Sequence, residues 1–509
     1  MNACCIYLDR RPIELAQLCL NASKAARGLH ALGVREGDVI AILMRNDFAF
    51  IEATEAAAAL GAYCVPINWH GKPDEIGHVI ADARPRVLVA HADLLAPLRA
   101  TLPADLHVLV VPTPPEVIGQ YAVAPDLADP AAGEASWPGW LEGFEPWHGP
   151  AMASRSTLIY TSGTTGRPKG VRREPATAEQ TAEYNELTKV IAGLGPGSRA
   201  MIPGPLYHAT PNGYLRMALP RAETLVITTR FDAEETLAII ERHRITHAAM
   251  VPTMFVRIMK LPPQVRRRYD VGSLQWVLHT GAPCAPEVKK AIMAWWGPVL
   301  YETYGGTEVG SVTVSSAHDW LAFPGSVGKP AHGARIAIHD PSGRPVNPGE
   351  VGEIYMRQPA LADFTYVNAA DKRSAVERDG LISVGDIGYM KDGRLYICDR
   401  KSDMVISGGV NIYPAEIESV LVQCPGVQDC AVFGIPDDEF GESLAAAVQL
   451  TPAAVTGAAE IRAFLEERIA RFKVPRRIDF HESLPREDSG KIFKRRLRDP
   501  FWEATGRRI

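Results

Sequence analysis

Alternation constrains this chain most. From Asp38 to Val111, β-prone runs at Val39 to Met44, Tyr63 to Ile67, Val87 to Ala90 and Leu106 to Val111 alternate with helix-like segments around Ala49 to Leu60 and Pro73 to Ala83. Such spacing predicts an α/β layer architecture with a largely parallel sheet, because a parallel neighbour needs a crossover long enough to hold a helix. The pattern breaks between Pro112 and Arg155, a stretch rich in Pro, Ala and Gly that reads as an irregular surface excursion. It resumes at Ala200 to Pro203, Thr224 to Thr228, His247 to Val251 and Trp276 to His279. Beyond Pro324, short Gly- and Pro-punctuated strands such as Gly352 to Met356 and Arg394 to Cys398 predict a small β-rich subdomain. After Arg400, helix-like Pro414 to Gln423, strands Val432 to Ile435 and Ala445 to Leu450, and helix-like Ala458 to Ile469 form a compact α+β unit large enough for its own core. The chain has 509 residues, and single cores stop growing near roughly 250 to 300. The expected division is a large N-terminal domain, 1–399, of layered α/β subdomains plus the β-rich one, and a small C-terminal domain, 400–509.

Composition narrows the functional classes. Lys and Arg number 54 against 59 Asp and Glu, a net charge of −5 that leaves no electrostatic footprint for nucleic acid. The basic run from Lys491 to Arg498 carries no recognisable binding motif and reads as a solvated helix. Eight cysteines show neither a CxxC nor a Cys/His metal spacing, the pattern of reduced thiols in a cytoplasmic protein. Arg10 and Arg11 are not followed by an apolar stretch of signal-peptide length, and no window reaches about 18 uncharged apolar residues, so no integral membrane contact is expected.

The most informative loop runs from Tyr160 to Gly170, Tyr-Thr-Ser-Gly-Thr-Thr-Gly-Arg-Pro-Lys-Gly. Glycines let backbone N–H groups approach an anion, hydroxyls add donors and Lys169 adds charge, so the loop suits polyphosphate. A Walker A motif is excluded, since that needs Gly directly before its Lys and Ser or Thr directly after it. Here Pro168 precedes Lys169 and Gly170 follows. Further along stand Pro205-Leu206-Tyr207-His208, Gly281-Ala282-Pro283, Tyr301-Glu302-Thr303-Tyr304-Gly305-Gly306-Thr307-Glu308, Ser383-Val384-Gly385-Asp386, an Asp399-to-Glu418 segment and Pro485-Arg486-Glu487-Asp488-Ser489-Gly490-Lys491. Taken singly, each also fits a turn, a satisfied core histidine or a solvated lysine.

Taken together and in this order, the segments resemble the adenylate-forming superfamily of acyl-CoA synthetases, peptide-synthetase adenylation domains and beetle luciferases. The resemblance runs from Gly33-Val34-Arg35-Glu36-Gly37-Asp38 to Lys491, with the first family strands expected to be trimmed. It implies an acid:CoA ligase that uses ATP, Mg²⁺ and coenzyme A and passes through an acyl-AMP. Thr161, Ser162, Gly163, Thr164, Thr165, Gly166 and Lys169 would hold the phosphates, and Gly281, Ala282 and Pro283 would line the adenine. Glu302, Thr303, Tyr304, Gly305, Gly306 and Thr307 would form the adenylate motif, with Tyr304 stacked on the base and Thr307 on the α-phosphate. Glu308 would hold Mg²⁺, Asp386 the ribose hydroxyls, and Arg400 would join the nucleotide set. Lys491 would be the mobile catalytic lysine.

His208 and Tyr207 would adjoin the acyl carboxylate, with Tyr214, Met217, Val251, Met254 and Val309 as candidate pocket walls. Ala209 and Thr210 offer no carboxylate for a substrate amine, which favours an acid without an amine, and the mostly apolar walls suit a fatty, alicyclic or aryl acid. Ser407, Gly408 and Gly409, with Phe472, Lys473 and Arg476, would meet coenzyme A. The domain pivot falls on Ser402, where the family usually has Asp or Lys. Competing readings are a stand-alone adenylating enzyme that loads a carrier protein and a non-catalytic nucleotide-binding regulator. The partners expected are small molecules, and the oligomeric state stays open between monomer and homodimer.

Overall fold

The computed structural model describes residues 5–150, 152–161, 168–452, 454–486 and 492–503. The first alternating stretch closes into a sheet of its own. Strands Tyr63–Pro66, Val39–Leu43, Val87–His91 and His107–Val111 lie side by side in that order, all parallel. Every residue of Val87–His91 is buried, as an apolar strand covered on both faces requires.

The second stretch starts a larger sheet. Strands Arg199–Ile202, Thr224–Ile227, His247–Met250, Trp276–His279 and Leu300–Gly306 pair in parallel. Cys5–Leu8 adds in parallel beside Thr224–Ile227, and Arg11–Glu14 folds back on it. Two N-terminal strands thus join the edge of this sheet. From Leu300–Gly306 the sheet continues antiparallel through Gly310–Ser316, Ser326–Pro330, Arg394–Arg400, Leu381–Lys391, Gly352–Arg357 and Arg335–His339. The β-rich region is thus one half of a 14-stranded sheet, hydrogen-bonded directly to the parallel half.

One expectation needs correcting. The stretch from Pro112 to Arg155 is not irregular throughout, for it holds helices Pro115–Tyr121 and Trp137–Glu142. Pro115 and Pro138 sit in the first turns of these helices, where a missing N–H costs nothing. Trp137 is 2% exposed, and its Nε1 donates to Glu52 Oε2 at 2.8 Å, which pins the excursion to the core.

The C-terminal unit is built on a hairpin of Val427–Asp437 and Gly441–Leu450 in a five-stranded sheet with Val405–Ser407, Val410–Ile412 and Arg477–Phe480. Helices Pro414–Leu421 and Ala458–Glu466 pack Ile417, Leu421, Ile461 and Leu465 against Val432 and Val448 of that sheet, a separate apolar core. Among the described residues no helix is long and apolar enough to cross a membrane. The seven cysteines among them are free thiols.

Candidate active site

The adenylate motif is a hairpin. Strand Leu300–Gly306 turns at Thr307–Val309 into Gly310–Ser316, with a register shift between Tyr304 and Gly305. Gly305 lies so close to the Gly310 backbone that a Cβ there would overlap it, and Gly310 itself has φ +71°. Glycine is required at both positions for the turn to close.

A buried arginine holds the turn. Arg173, on strand Lys169–Arg173, donates from one guanidinium to Ala362 O (2.6 Å), Thr307 O (2.9 Å) and Glu308 O (2.6 Å). Burial lowers its pKa to about 10, so it stays charged at neutral pH. The Tyr366 hydroxyl donates to Glu308 Oε1 at 3.0 Å and leaves Oε2 outside that bond. Lys169 Nζ lies 5.5 Å from the Tyr366 ring centroid. Burial and Lys372 depress its ammonium, while Glu308 and Asp371 oppose them. Strands Ile159–Thr161 and Lys169–Arg173 pair as a hairpin with Thr161 opposite Lys169. Ser162, Gly163, Thr164, Thr165 and Gly166 of that loop, and Lys491, lie outside the described residues.

The ribose and adenine candidates meet next to it. The Tyr304 hydroxyl donates to Asp386 Oδ2 at 2.7 Å, and Arg400 Nε lies 3.4 Å from Asp386 Oδ1. Asp386 and Arg400 face each other in the ladder between Leu381–Lys391 and Arg394–Arg400. Burial and the facing carboxylate push the Tyr304 hydroxyl pKa far upward, so it remains a donor. A Cβ on Gly306 would stand 3.1 Å from Val384, so the two motifs are in contact. Gly281 has φ +87° just after strand Trp276–His279, beside Val251.

Two candidates turn inward. Glu302 is 7% exposed and ion-paired at 2.6 Å with Lys289 of helix Pro286–Trp296, so its carboxylate is engaged in the core. Thr303 is buried beside Ser311, whose Oγ donates to Thr303 Oγ1 at 3.5 Å.

His208 precedes helix Ala209–Ala218, its ring 4.2 Å from Tyr207. Its Nε2 is buried without a partner among the described residues, and burial, with His70 adding, pulls its pKa down to about 4. A neutral imidazole there is free to donate one hydrogen bond. The apolar wall candidates fall in three different cores. Tyr214 and Met217 pack in the core of the first sheet, Val251 and Met254 in the second cluster, and Val309 in the antiparallel half. Met254 approaches Gly204 and Val251 approaches Gly281, so these two adjoin the His208 and adenine segments.

On the small domain, Ser407, Gly408 and Gly409 form the tip of a hairpin, and Gly408 N–H bonds Phe440 O at 2.9 Å. Arg476 lies over the Phe440 ring at 4.8 Å, which joins the two coenzyme candidate segments. Phe472 is exposed, whereas Lys473 pairs with Glu416 at 2.7 Å and Arg476 with Asp437 at 3.2 Å. Ser402 follows strand Arg394–Arg400 directly, between the two sheets.

Sequence reading missed Arg173, Tyr366 and Phe440. An arginine ending a short strand was the one signal for Arg173. Among the described residues no cluster of three His, Cys, Asp or Glu stands ready to hold a metal.

The hairpin turn with its clamped carbonyls thus stands beside the Tyr304–Asp386–Arg400 set. The chain belongs to the AMP-binding enzyme family, with residues 3–364 matching that family and residues 416–491 its C-terminal domain. It is 33% identical over 498 residues to a feruloyl-CoA synthase of Amycolatopsis sp, covering 96% of this chain and 94% of the relative. It is 31% identical over 519 residues to the fatty acid–[acyl-carrier-protein] ligase ScoC of Streptomyces coeruleorubidus, covering 99% and 94%. Among solved structures, the anthranilate CoA ligase AuaEII in complex with anthranoyl-AMP superposes with a TM-score of 0.86 at 25% identity, covering 99% of this chain and 95% of that one.

Proposed function

We propose that this chain is an ATP-dependent acid:CoA ligase that joins a carboxylic acid to coenzyme A through an acyl-AMP. The observation that carries this reading is the Arg173-clamped Thr307–Glu308 turn in contact with the Tyr304–Asp386–Arg400 set. A carboxylate resists attack because it is negative and lacks a leaving group. Its oxygen attacks the α-phosphorus of ATP, the bond to the bridging oxygen breaks, and pyrophosphate leaves. The thiolate then attacks the acyl carbon and expels AMP.

Charge builds on the phosphoryl oxygens in the first step, so donors fixed beforehand are worth most there. Thr307 offers a hydroxyl on a turn that Arg173 holds still. Glu308 Oε2 is a hard oxygen suited to Mg²⁺, with the triphosphate supplying further ligands, and the metal would offset charge on the leaving group. Asp386 accepts both ribose hydroxyls, and Tyr304 and Arg400 orient it. Lys491 acts on the α-phosphate and must withdraw before the thiol enters, which requires the small domain to turn about Ser402. The Ser407–Gly409 tip and the Phe472-to-Arg476 segment then face coenzyme A.

An aryl or fatty acid fits best, since the relatives named above act on ferulate, a fatty acid and anthranilate, and no carboxylate follows His208 to hold an amine. A cytoplasmic setting fits the free thiols. The carrier-protein ligase among the relatives supports a second reading, in which the thiol belongs to a carrier's phosphopantetheine.

Pyrophosphate release over a panel of acids, followed by discharge with free coenzyme A or a phosphopantetheinylated carrier, tests both. Lys491→Ala should reduce acyl-AMP formation by at least about 10²-fold yet largely spare thioester formation from supplied acyl-AMP. Equal loss of both half-reactions would refute the assignment.

A further inference from the structure

Helix Lys494–Glu503 begins just after the catalytic-lysine segment and lies on strand Val427–Asp437, with Trp502 Nε1 donating to Gly434 O at 3.1 Å. Two of its side chains, one helical turn apart, reach the link between the domains. Lys494 Nζ lies 2.8 Å from Glu418 Oε1, which also accepts Val432 N–H at 2.6 Å. Arg498 donates to Ser402 O at 3.0 Å. On the other side of the pivot stands Asp399, 7% exposed, in a strand of the large sheet. Its Oδ2 accepts the Ala415 N–H at 2.8 Å, in the first turn of helix Pro414–Leu421 of the small domain. Burial works against a charge on Lys494, but Glu418, Asp399 and Asp403 outweigh it and hold the ammonium above its ordinary range.

We propose that Asp399 is a positioning residue that latches the two domains in the arrangement seen here, reaching across the Ser402 pivot to the Ala415 N–H, while Lys494 braces the helix that carries Ala415 through its ion pair with Glu418. The proposal rests on the pivot assigned above and assigns the energetics that Ser402, lacking the usual Asp or Lys, does not supply. Turning about Ser402 carries Ala415 away from Asp399. A buried carboxylate cannot lose that N–H donor without finding another, so the contact is made or broken as a unit. Helix Lys494–Glu503 also grips the pivot itself through Arg498, so the helix and the pivot are tied together.

The test reads domain orientation without substrate. Fluorophores on non-natural side chains at Leu321 and Val455, exposed on the large and small domains, report intramolecular energy transfer in the unliganded chain. Asp399→Asn should shift the transfer distribution and change the ratio of acyl-AMP to thioester formation rates by about tenfold, as expected for losing a hydrogen bond to a charged group. Lys494→Arg should keep both near the parent values. The double variant Asp399→Asn/Lys494→Met removes both charges together and should shift the distribution like Asp399→Asn alone. An unchanged distribution in folded Asp399→Asn and in the double variant would overturn the proposal, as would half-reactions slowed equally with their ratio preserved. Failure to release pyrophosphate with any acid would refute the ligase reading while leaving the energy-transfer result intact.

Discussion

At Arg173 one guanidinium satisfies three carbonyls, two of them belonging to Thr307 and Glu308. Replacement by Met keeps an unbranched apolar stem but removes the guanidinium and strands those oxygens, each at a cost of about 1–3 kcal/mol where water cannot enter. Arg173→Met should therefore lower the thermal midpoint and reduce acyl-AMP formation by about 10²-fold, with a smaller effect on the KM for ATP, because the turn is mispositioned rather than removed. Calorimetry with single-turnover kinetics checks both. An unchanged rate would mean that the Thr307–Glu308 turn holds its shape without the clamp. Tyr366 supports the same turn from the other side, through Glu308 Oε1.

The hairpin Leu300–Ser316 is the element that turns sequence into site. Its two strands approach most closely at Gly305 and Gly310, where the register shifts. Gly305→Ala would place a methyl against the Gly310 backbone, which cannot yield as a flexible side chain does, and the strands would part at the Thr307–Val309 turn. The expected result is an acyl-AMP rate lower by about 10²-fold with near-native circular dichroism, since the rest of the sheet is paired independently. Gly349→Ala is the control, a loop glycine with nothing within 4 Å of its added Cβ, although φ +91° strains the backbone there. Equal rates for the two variants would show that the close approach carries no function.

Across the whole molecule, burial keeps several histidines neutral. His208 and His70 are pulled down to about 4, the latter by burial and Arg45, and fully buried His279 lies well below its ordinary value. In the unfolded chain each titrates near 6.5. Because the folded state binds these protons less tightly, the stability they contribute is fully present above about pH 6.5 and is lost as pH falls from there toward 4. Thermal midpoints should be level between pH 7 and 8 and decline steadily below 6.5. His208→Gln should make that decline shallower, and an identical slope in the variant would exclude His208 as a contributor.

Much of this was legible in the amino-acid order. Strand–helix alternation announced the parallel sheets, and the glycines of Tyr301–Glu308 announced a tight turn, because both follow from local backbone preference and from period. The motif order along the chain pointed to adenylate chemistry before any contact was known. Where local signals misled, packing had intervened. The Pro-rich stretch around Trp137 looked like a surface excursion, yet its indole anchors to Glu52. The Glu302 carboxylate, within the motif, is paired with Lys289 in the core, a partner that no local signal announced. The sequence by itself therefore determined the layers, the turns and the class of chemistry. Only the tertiary structure decided that Arg173 clamps the Thr307–Glu308 turn and that Asp399 accepts the Ala415 N–H. The reason is physical: local propensity is written among neighbours along the chain, whereas contacts between distant residues exist only once the sheets have packed and water has been excluded from between them.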